Sequence, residues 1–372
     1  MMFQSFFQGG FECSTHRRAD GVRLDVIAST RHDAMAASDY ALLQTLGIST
    51  VRDGARWHLI EKTPGIYDWS SFTPMLDAAI ATRTQIIWDV LHYGWPDWLD
   101  IWSADFVERF AAFAKALALH VKDRTDEVPW YVPVNEISFL AWGGGQFKLF
   151  NPMARGRGHE LKCQLVRASI AAIEAIWSVE PRARIAHTDP LIHVHHVKKG
   201  SVARAREQTH AQYQAWDMLS GRFHPELGGK PEYLDVIGVN YYCHNQWVLD
   251  GPPLDWRGTD ARFIPFRDLL ARTWKRYKRP MFIAETGIEA ELRPEWFDYV
   301  CGEAFAAIEL GAPIEGICLY PVMNHPGWDD DRHCPNGLID YDRTTFRRWL
   351  EEPLAEAIRR RQGASDLVSR RA

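Results

Sequence analysis

The chain has 372 residues, 46% of them hydrophobic and 24% charged, which suits a sizeable buried core and argues against global disorder. With 43 Lys and Arg against 48 Asp and Glu, the net charge of -5 gives no electrostatic case for a nucleic-acid partner, and no basic amphipathic stretch points to a membrane surface. No apolar run approaches the ~18 residues of a membrane span.

Short apolar runs alternate with longer stretches of helical period, the pattern of repeated βα units and a parallel sheet. In chain order the expected strands are Ser5–Glu12, Ile48–Arg52, Gln85–Leu91, Pro129–Asn135, Ala183–Thr188, Val236–Tyr242, Pro280–Ala284 and Gly316–Pro321. Between and after them the spacing predicts helices over Asp33–Leu46, Phe72–Ala81, Phe106–Val121, Leu161–Val179, Gln208–Leu219, Phe263–Tyr277, Arg293–Leu310 and Arg343–Arg361. In Leu161–Val179, Leu161, Leu165, Ala168, Ala172 and Ile176 recur on one helical face.

Eight strands and eight helices make the count of a single-domain α/β protein, a (β/α)8 barrel, whose usual size is ~250 residues. The excess length is expected in βα loops, which form the active face. The barrel is assigned to residues 1–355 and a basic, disordered tail to residues 356–372, where Arg359-Arg360-Arg361 and Arg370-Arg371 cluster.

The six cysteines, Cys13, Cys163, Cys243, Cys301, Cys318 and Cys334, form no C-x-x-C pair, so neither a zinc knuckle nor a redox motif is visible. The opening MMFQSFFQGGFECSTHRR lacks the charged start and long apolar stretch of a secretory signal. A reduced, cytoplasmic protein is the expectation.

Two expected strands end on a glutamate. Tyr131-Val132-Pro133-Val134-Asn135-Glu136 closes the fourth, and Pro280-Met281-Phe282-Ile283-Ala284-Glu285-Thr286-Gly287 closes the seventh. A carboxylate is a poor core residue, but at the C-terminal rim of a barrel it marks catalysis. Hydrolysis of a glycosidic bond needs such a pair, one acid to protonate the departing oxygen and one carboxylate to meet the oxocarbenium-like centre. The competing account of either glutamate is a rim salt bridge.

These motifs resemble glycoside hydrolase clan A, and most of all the family 1 β-glycosidases, from about residue 5 to residue 330. Asn135-Glu136 is similar to the family's Asn-Glu-Pro, with Ile137 in place of proline, and Glu285-Thr286-Gly287 to its Glu-Asn-Gly. Thr50-Val51-Arg52 with Trp57 and Ile60, Gly65-Ile66-Tyr67-Asp68-Trp69, Leu91-His92-Tyr93-Gly94-Trp95-Pro96-Asp97-Trp98-Leu99 and Gly238-Val239-Asn240-Tyr241-Tyr242 resemble further family segments in the same order.

The resemblance implies a retaining enzyme with Glu136 as acid/base and Glu285 as nucleophile, the latter hydrogen-bonded by Arg52 and Tyr242. It implies that Asn135 donates to a sugar 2-hydroxyl, whereas a bland account makes it a cap on the following segment. His92 is expected on a sugar hydroxyl or as a satisfied rim histidine, and Asn240 with the same site. Of sixteen tryptophans, Trp328 and Trp142 are the candidates for stacking on a pyranose. The expected partner is a small-molecule carbohydrate, with no cofactor implied and no oligomeric state specified.

Departures bear on the substrate. The glutamine that family members place after the first strand is replaced near Arg17, with Glu12 as a stand-in for binding hydroxyls. Tyr320-Pro321-Val322-Met323-Asn324-His325-Pro326-Gly327-Trp328 lacks the usual first tryptophan and the glutamate before the last one. His187, Asp189, His193, His195 and His196 invite a metal, but they follow a single strand and nothing nearby completes a set, so no metal is assigned. A transglycosidase with the same intermediate and a carbohydrate-binding pseudoenzyme are the competing functions; the second predicts a lost catalytic carboxylate, and both are present.

Overall fold

A computed structural model describes residues 2–369. Eight parallel strands close into one barrel: β1 (Phe7–Gly10), β2 (Thr50–Gly54), β3 (Gln85–Leu91), β4 (Trp130–Val134), β5 (Arg184–Pro190), β6 (Val236–Asn240), β7 (Met281–Thr286) and β8 (Ile314–Leu319). Each pairs with its neighbours in sequence, and β1 pairs with both β2 and β8, which closes the ring. All eight strands fall within two or three residues of their expected positions.

The main outer helices are α1 (His32–Gln44), α2 (Thr73–Thr82), α3 (Ala104–Lys122), α4 (Gly158–Val179), α5 (Gln214–Leu219), α6 (Phe266–Tyr277), α7 (Arg293–Glu309) and α8 (Glu352–Ser369). On α4 the residues expected to face inward, Leu161, Leu165, Ala168, Ala172 and Ile176, are all fully buried. The segment expected as one helix over Gln208–Leu219 is broken into Val202–Ala211 and α5. No described helix is long and apolar enough to cross a membrane.

The last helix corrects two expectations. Residues 343–350 are not helical: Ile339–Tyr341 and Arg348–Leu350 form a hairpin, whose turn is held by Asp342 Oδ1 accepting from Thr344 N and Thr345 N and by a left-handed Phe346. The boundary drawn at residue 356 falls inside α8, because Leu354, Ala355, Ala357 and Ile358 pack into the core and Arg361 pairs with Asp298 at 2.7 Å. Arg370 and Arg371 lie outside the described residues.

The barrel interior changes character along its axis. Phe3, Ile87, Trp130, Val132, Ala186, Val236, Phe282 and Ala284 form a separate apolar plug. On β3, side chains alternate, so Ile87 in the plug and Asp89 two residues on point inward together. Polar residues thus begin where the plug ends, toward the C-terminal ends of the strands. Gly10 permits this packing, since a Cβ there would lie 2.1 Å from the Tyr320 ring.

Candidate active site

Glu285 reaches the interior through an irregularity in β7. Val239 pairs with Ile283, but the next residue, Asn240, pairs with Glu285, so β7 carries one extra residue. The ladder to β8 shifts at the same place. Such a bulge re-aims a side chain that strict alternation would point the other way. It also leaves the Ala284 carbonyl to accept from Arg52 Nη1 at 2.9 Å, while the same nitrogen meets Glu285 Oε1 at 3.0 Å. Tyr242 donates its hydroxyl to Glu285 Oε2 at 2.9 Å.

Arg52 is wholly buried and its second terminal nitrogen donates to Asp89 Oδ2 at 2.7 Å and Asn135 Oδ1 at 3.1 Å. The Tyr320 ring lies 5.0 Å from its guanidinium. A planar fork with several fixed donors is needed to serve four oxygens at once, which a lysine ammonium cannot do.

Glu136 stands where β4 leaves the barrel. Pro133 has no N–H, and the β4–β5 ladder stops at Tyr131 and Ile185. The backbone meets β5 again through Glu136 N–H to the Thr188 carbonyl at 3.0 Å, with Glu136 in the left-handed region at φ 47°. Its carboxyl receives Asn240 Nδ2 at 2.8 Å on one oxygen and a short hydrogen bond from the Tyr93 hydroxyl on the other. No cation among the described residues pairs with it.

The two carboxyls are therefore treated differently. Burial, and then the charge of Glu285, push Glu136 well above the usual carboxylate range, with Tyr93 and Asn240 opposing. Burial raises Glu285 as well, but the Arg52 guanidinium and His92 pull it down, so it rises less. Glu136 is the member that keeps a proton when one is shared.

Asn135 contacts a partner of each carboxyl, Arg52 of Glu285 and Tyr93 of Glu136. Its Oδ1 accepts from Arg52 and from Thr188 Oγ1 at 2.6 Å, and its Nδ2 faces His92 Nε2 and the Tyr93 hydroxyl, both at 3.1 Å. It caps nothing; Glu136 is the residue preceding the short helix Ile137–Leu140. His92 Nδ1 lies 2.9 Å from Asp89 Oδ2, and Nε2 lies 3.7 Å from Glu12 Oε1. Burial lowers His92, yet Asp89 and Glu12 outweigh it and leave the imidazole above its ordinary range. The Asn135 contact requires an accepting Nε2 and hence a neutral ring, so the two charge states differ in whether Nε2 accepts from Asn135 or donates toward Glu12.

Glu12 is buried, with Oε1 taking Ser14 N at 2.9 Å and a short bond from Ser14 Oγ. Burial raises it, but His92, His325 and Ser14 outweigh that and hold it ionised. Asn240 Oδ1 and His16 Nδ1 are buried without a protein partner, the condition of groups awaiting ligand or solvent. Arg17, near which the family's glutamine is missing, pairs with Asp97.

Trp328 packs edge-on to Tyr93 at 5.6 Å and to His16 at 4.5 Å, and so borders the site. Trp142 touches none of the catalytic candidates; it stacks on Phe139, 5.7 Å away, and is 48% exposed. Tyr93, Asp89, Thr188, His16 and Tyr320 join these residues although the sequence motifs do not single them out. Tyr93 and Asp89 lie one and three residues from His92, which was the available signal for them; Thr188 and Tyr320 lie beside no assigned candidate residue. His187, inside β5, bonds the Tyr233 carbonyl at 2.8 Å, while His193 and His195, whose rings lie 4.5 Å apart, belong to a separate short strand paired with Gln246–Val248, so the histidines form no single set.

One group among the described residues has metal-like spacing: Cys13 Sγ, Asp89 Oδ2 and His92 Nδ1, separated by 3.2 Å (Sγ–Nδ1), 3.7 Å (Sγ–Oδ2) and 2.9 Å (Nδ1–Oδ2). Arg52 Nη2 already lies 2.7 Å from that same Asp89 oxygen. A cation there would face a fixed guanidinium, and would need the Nδ1 lone pair just where Nδ1–H serves Asp89. The chemistry fits a hydrogen-bonded cluster and does not fit a metal.

No protein-family profile matches the chain, and no curated protein matches it. Solved structures do. A hyperthermophilic β-glucosidase mutant that forms a dodecamer in its crystal aligns with TM-score 0.78 and 17% identity over 95% of this chain and 99% of its own. The family 1 β-glucosidase from Thermotoga maritima aligns with TM-score 0.76 and 15% identity, covering 95% and 97%. The Thermotoga maritima β-glucosidase in complex with deoxynojirimycin aligns with TM-score 0.74 and 16% identity, covering 88% and 86%. The class these likenesses define is the (β/α)8 barrel. The particular barrels the chain is similar to are β-glucosidases.

Proposed function

We propose that the protein is a retaining, exo-acting β-glycosidase for small glycosides, with Glu285 as nucleophile and Glu136 as acid/base. The observation that carries this is the asymmetry of the two carboxyls at the ends of β4 and β7: one is held by a guanidinium and a phenol, the other by neutral donors only. Similarity of the fold to β-glucosidases supports the same reading.

In the first step Glu136 gives its proton to the departing oxygen while Glu285, ionised beside Arg52, attacks the anomeric carbon. The ester formed removes the charge of Glu285, which was one cause of the raised proton affinity of Glu136. Glu136 then ionises readily and takes a proton from the water that cleaves the ester. Retaining enzymes need carboxyls ~5–5.5 Å apart for this exchange. Asn135 is assigned to the sugar 2-hydroxyl, His92, Glu12 and Asn240 to other polar groups of the bound ring, and Trp328 to its apolar face.

Intact mass after incubation with 2-deoxy-2-fluoro aryl glycosides of differing sugars tests this. A single covalent adduct mapped to Glu285 is the expected result. An adduct on another residue removes Glu285 as nucleophile, and an active enzyme that releases the inverted sugar removes the retaining mechanism.

A further inference from the structure

Asp189, near the end of β5, is a buried carboxylate to which the catalytic scheme gives no task. It is 1% exposed, and no cation among the described residues forms an ion pair with it. Lys162, buried on α4, donates instead to Gln214 Oε1 at 2.9 Å. A charge taken out of water without a paired cation is destabilising, so the groups that do meet it carry its role. Both of its oxygens turn to one residue: Oδ1 accepts from Ser138 N–H at 3.1 Å, and Oδ2 from the Ser138 hydroxyl at 2.9 Å.

Ser138 stands two residues after Glu136. Glu136 N–H bonds the carbonyl of Thr188, the residue before Asp189, so two successive residues of β5 hold the chain at the acid and just beyond it. Ile137, between the two holds, is buried. Glu136 needs them, because φ of 47° is a backbone state that a residue with a side chain keeps only where its surroundings impose it. Asp189 thus fixes the segment from which the Glu136 side chain projects.

Its charge adds a second role. Lys162 from α4, Glu136 from the end of β4 and Glu285 from β7 are the ionisable groups that act on Asp189. Beside it β6 places Val239 and Asn240, α5 places Gln214, and the short helix Ile137–Leu140 has no ionisable side chain. Burial raises Asp189 to about 7, with Lys162 and Ser138 opposing the rise and Glu285 adding to it. The Asp189 carboxylate in turn raises Glu136. In the second step Glu285 is an ester and its charge is gone, which weakens Glu136 as a base just when it must take the proton of water. Asp189 is not esterified, and loss of the Glu285 charge favours its ionised form. We propose that Asp189 is a positioning residue for the acid/base, holding the Glu136 backbone through Ser138 and maintaining a negative charge that acts on Glu136 while Glu285 is esterified. This deepens the glycosidase reading and rests on it.

The test is reactivation of the 2-deoxy-2-fluoroglycosyl adduct on Glu285, in the natural full chain and in Asp189→Asn, whose amide oxygen can still accept from Ser138 N–H. Water needs a base to attack the ester and azide does not, so azide reports every loss except that of the base. At about pH 8, above the value of about 7 for Asp189, reactivation by water is expected to be at least ~3-fold slower in Asp189→Asn, because a weaker base takes the proton more slowly. Reactivation by azide should agree within about twofold. The alkaline limb of kcat/KM should also move down, since Glu136 loses a negative neighbour. Should Asp189→Asn not fold, Ser138→Ala serves: it removes one bond to the carboxylate, so Asp189 ionises at higher pH and the pH dependence of reactivation by water should move up with it. Water and azide slowed alike, neither slowed, an unmoved alkaline limb, or an unmoved profile in Ser138→Ala overturns the role. No adduct on Glu285 with any sugar overturns the glycosidase reading, and this inference with it.

Discussion

Asn240 and Tyr242 leave the end of β6 two residues apart and donate to opposite carboxyls, Asn240 Nδ2 to Glu136 at 2.8 Å and Tyr242 OH to Glu285 at 2.9 Å. The register that pairs Asn240 with Glu285 sets β6 directly against the bulge in β7. One strand end thus fixes the relative placement of two groups whose parent strands, β4 and β7, are not neighbours. The donors are neutral, so they can hold either carboxyl in either charge state as the proposed cycle exchanges them.

Tyr93 is the sharper probe of that cycle. Its hydroxyl donates to Glu136, which favours the ionised form and lowers the proton affinity. Tyr93→Phe removes the donor, so Glu136 should hold its proton to higher pH. The alkaline limb of the kcat/KM profile is expected to move up by about one unit, the scale of one hydrogen bond to a charged group. An alkaline limb that moves down would mean that the limb does not report Glu136.

On the proposed assignment, Arg52 should set the other limb. Its charge opposes the burial that raises Glu285. In Arg52→Lys the fork that serves Ala284, Glu285, Asp89 and Asn135 is lost. Glu285 should then ionise only at higher pH, moving the acid limb up. Breaking a buried pair costs about 3 kcal/mol or more, so the melting temperature should fall with it. A lysine variant with unchanged acid limb and stability would show that the guanidinium is not what holds Glu285.

Much of this was legible in the sequence, for reasons that differ by residue. The strands announced themselves as apolar runs because the barrel buries both of their faces. Glu136 and Glu285 stood out as charges at the ends of such runs. What no pattern revealed was how they point: the extra residue in β7 and the left-handed backbone of Glu136 set the two side chains, and neither can be read from period-two alternation. Asp89 was hidden inside Gln85–Leu91, where a buried carboxylate is tolerated only because Arg52 and His92 meet it. Tyr93 lies beyond its strand at φ 64°, a backbone state that sequence reasoning had no means to foresee. The hairpin ending at Leu350 is not told from a helix by its sequence, because its polar residues fit either period.

Glu12 offers a test of sugar binding separate from the chemistry. It is ionised, and its Oε1 is taken by Ser14, so the amide of Glu12→Gln can keep the Ser14 contacts while removing the charge. The variant should lose about tenfold or more in kcat/KM with most of the change in KM, as loss of a charged hydrogen bond to a sugar hydroxyl predicts. A change confined to kcat would place Glu12 in control of the neighbouring charges and not on the sugar.

Removal of metals should do nothing. Cys13, Asp89 and His92 have the spacing to attract an ion, but Arg52 holds the Asp89 oxygen that would bind it. Activity after dialysis against a chelator is expected to match the untreated enzyme. Loss restored by one added divalent cation would show that the cluster rearranges to bind one, and would require a different role for His92.

The assignment of the two glutamates is tested most directly by small anions. Glu285→Ala removes the proposed nucleophile and should lower turnover by at least ~10⁴-fold on an activated aryl glycoside. Azide can enter the space left by the carboxylate and attack from the same face, giving the α-glycosyl azide. Glu136→Ala leaves Glu285 able to form its ester with a good leaving group, so azide then attacks that ester from the opposite face and gives the β-glycosyl azide. Product stereochemistry by proton NMR therefore separates the two roles with one reagent. If Glu285→Ala yielded the β-azide and Glu136→Ala the α-azide, the roles of the two carboxyls would be exchanged, and Arg52 would be holding the acid.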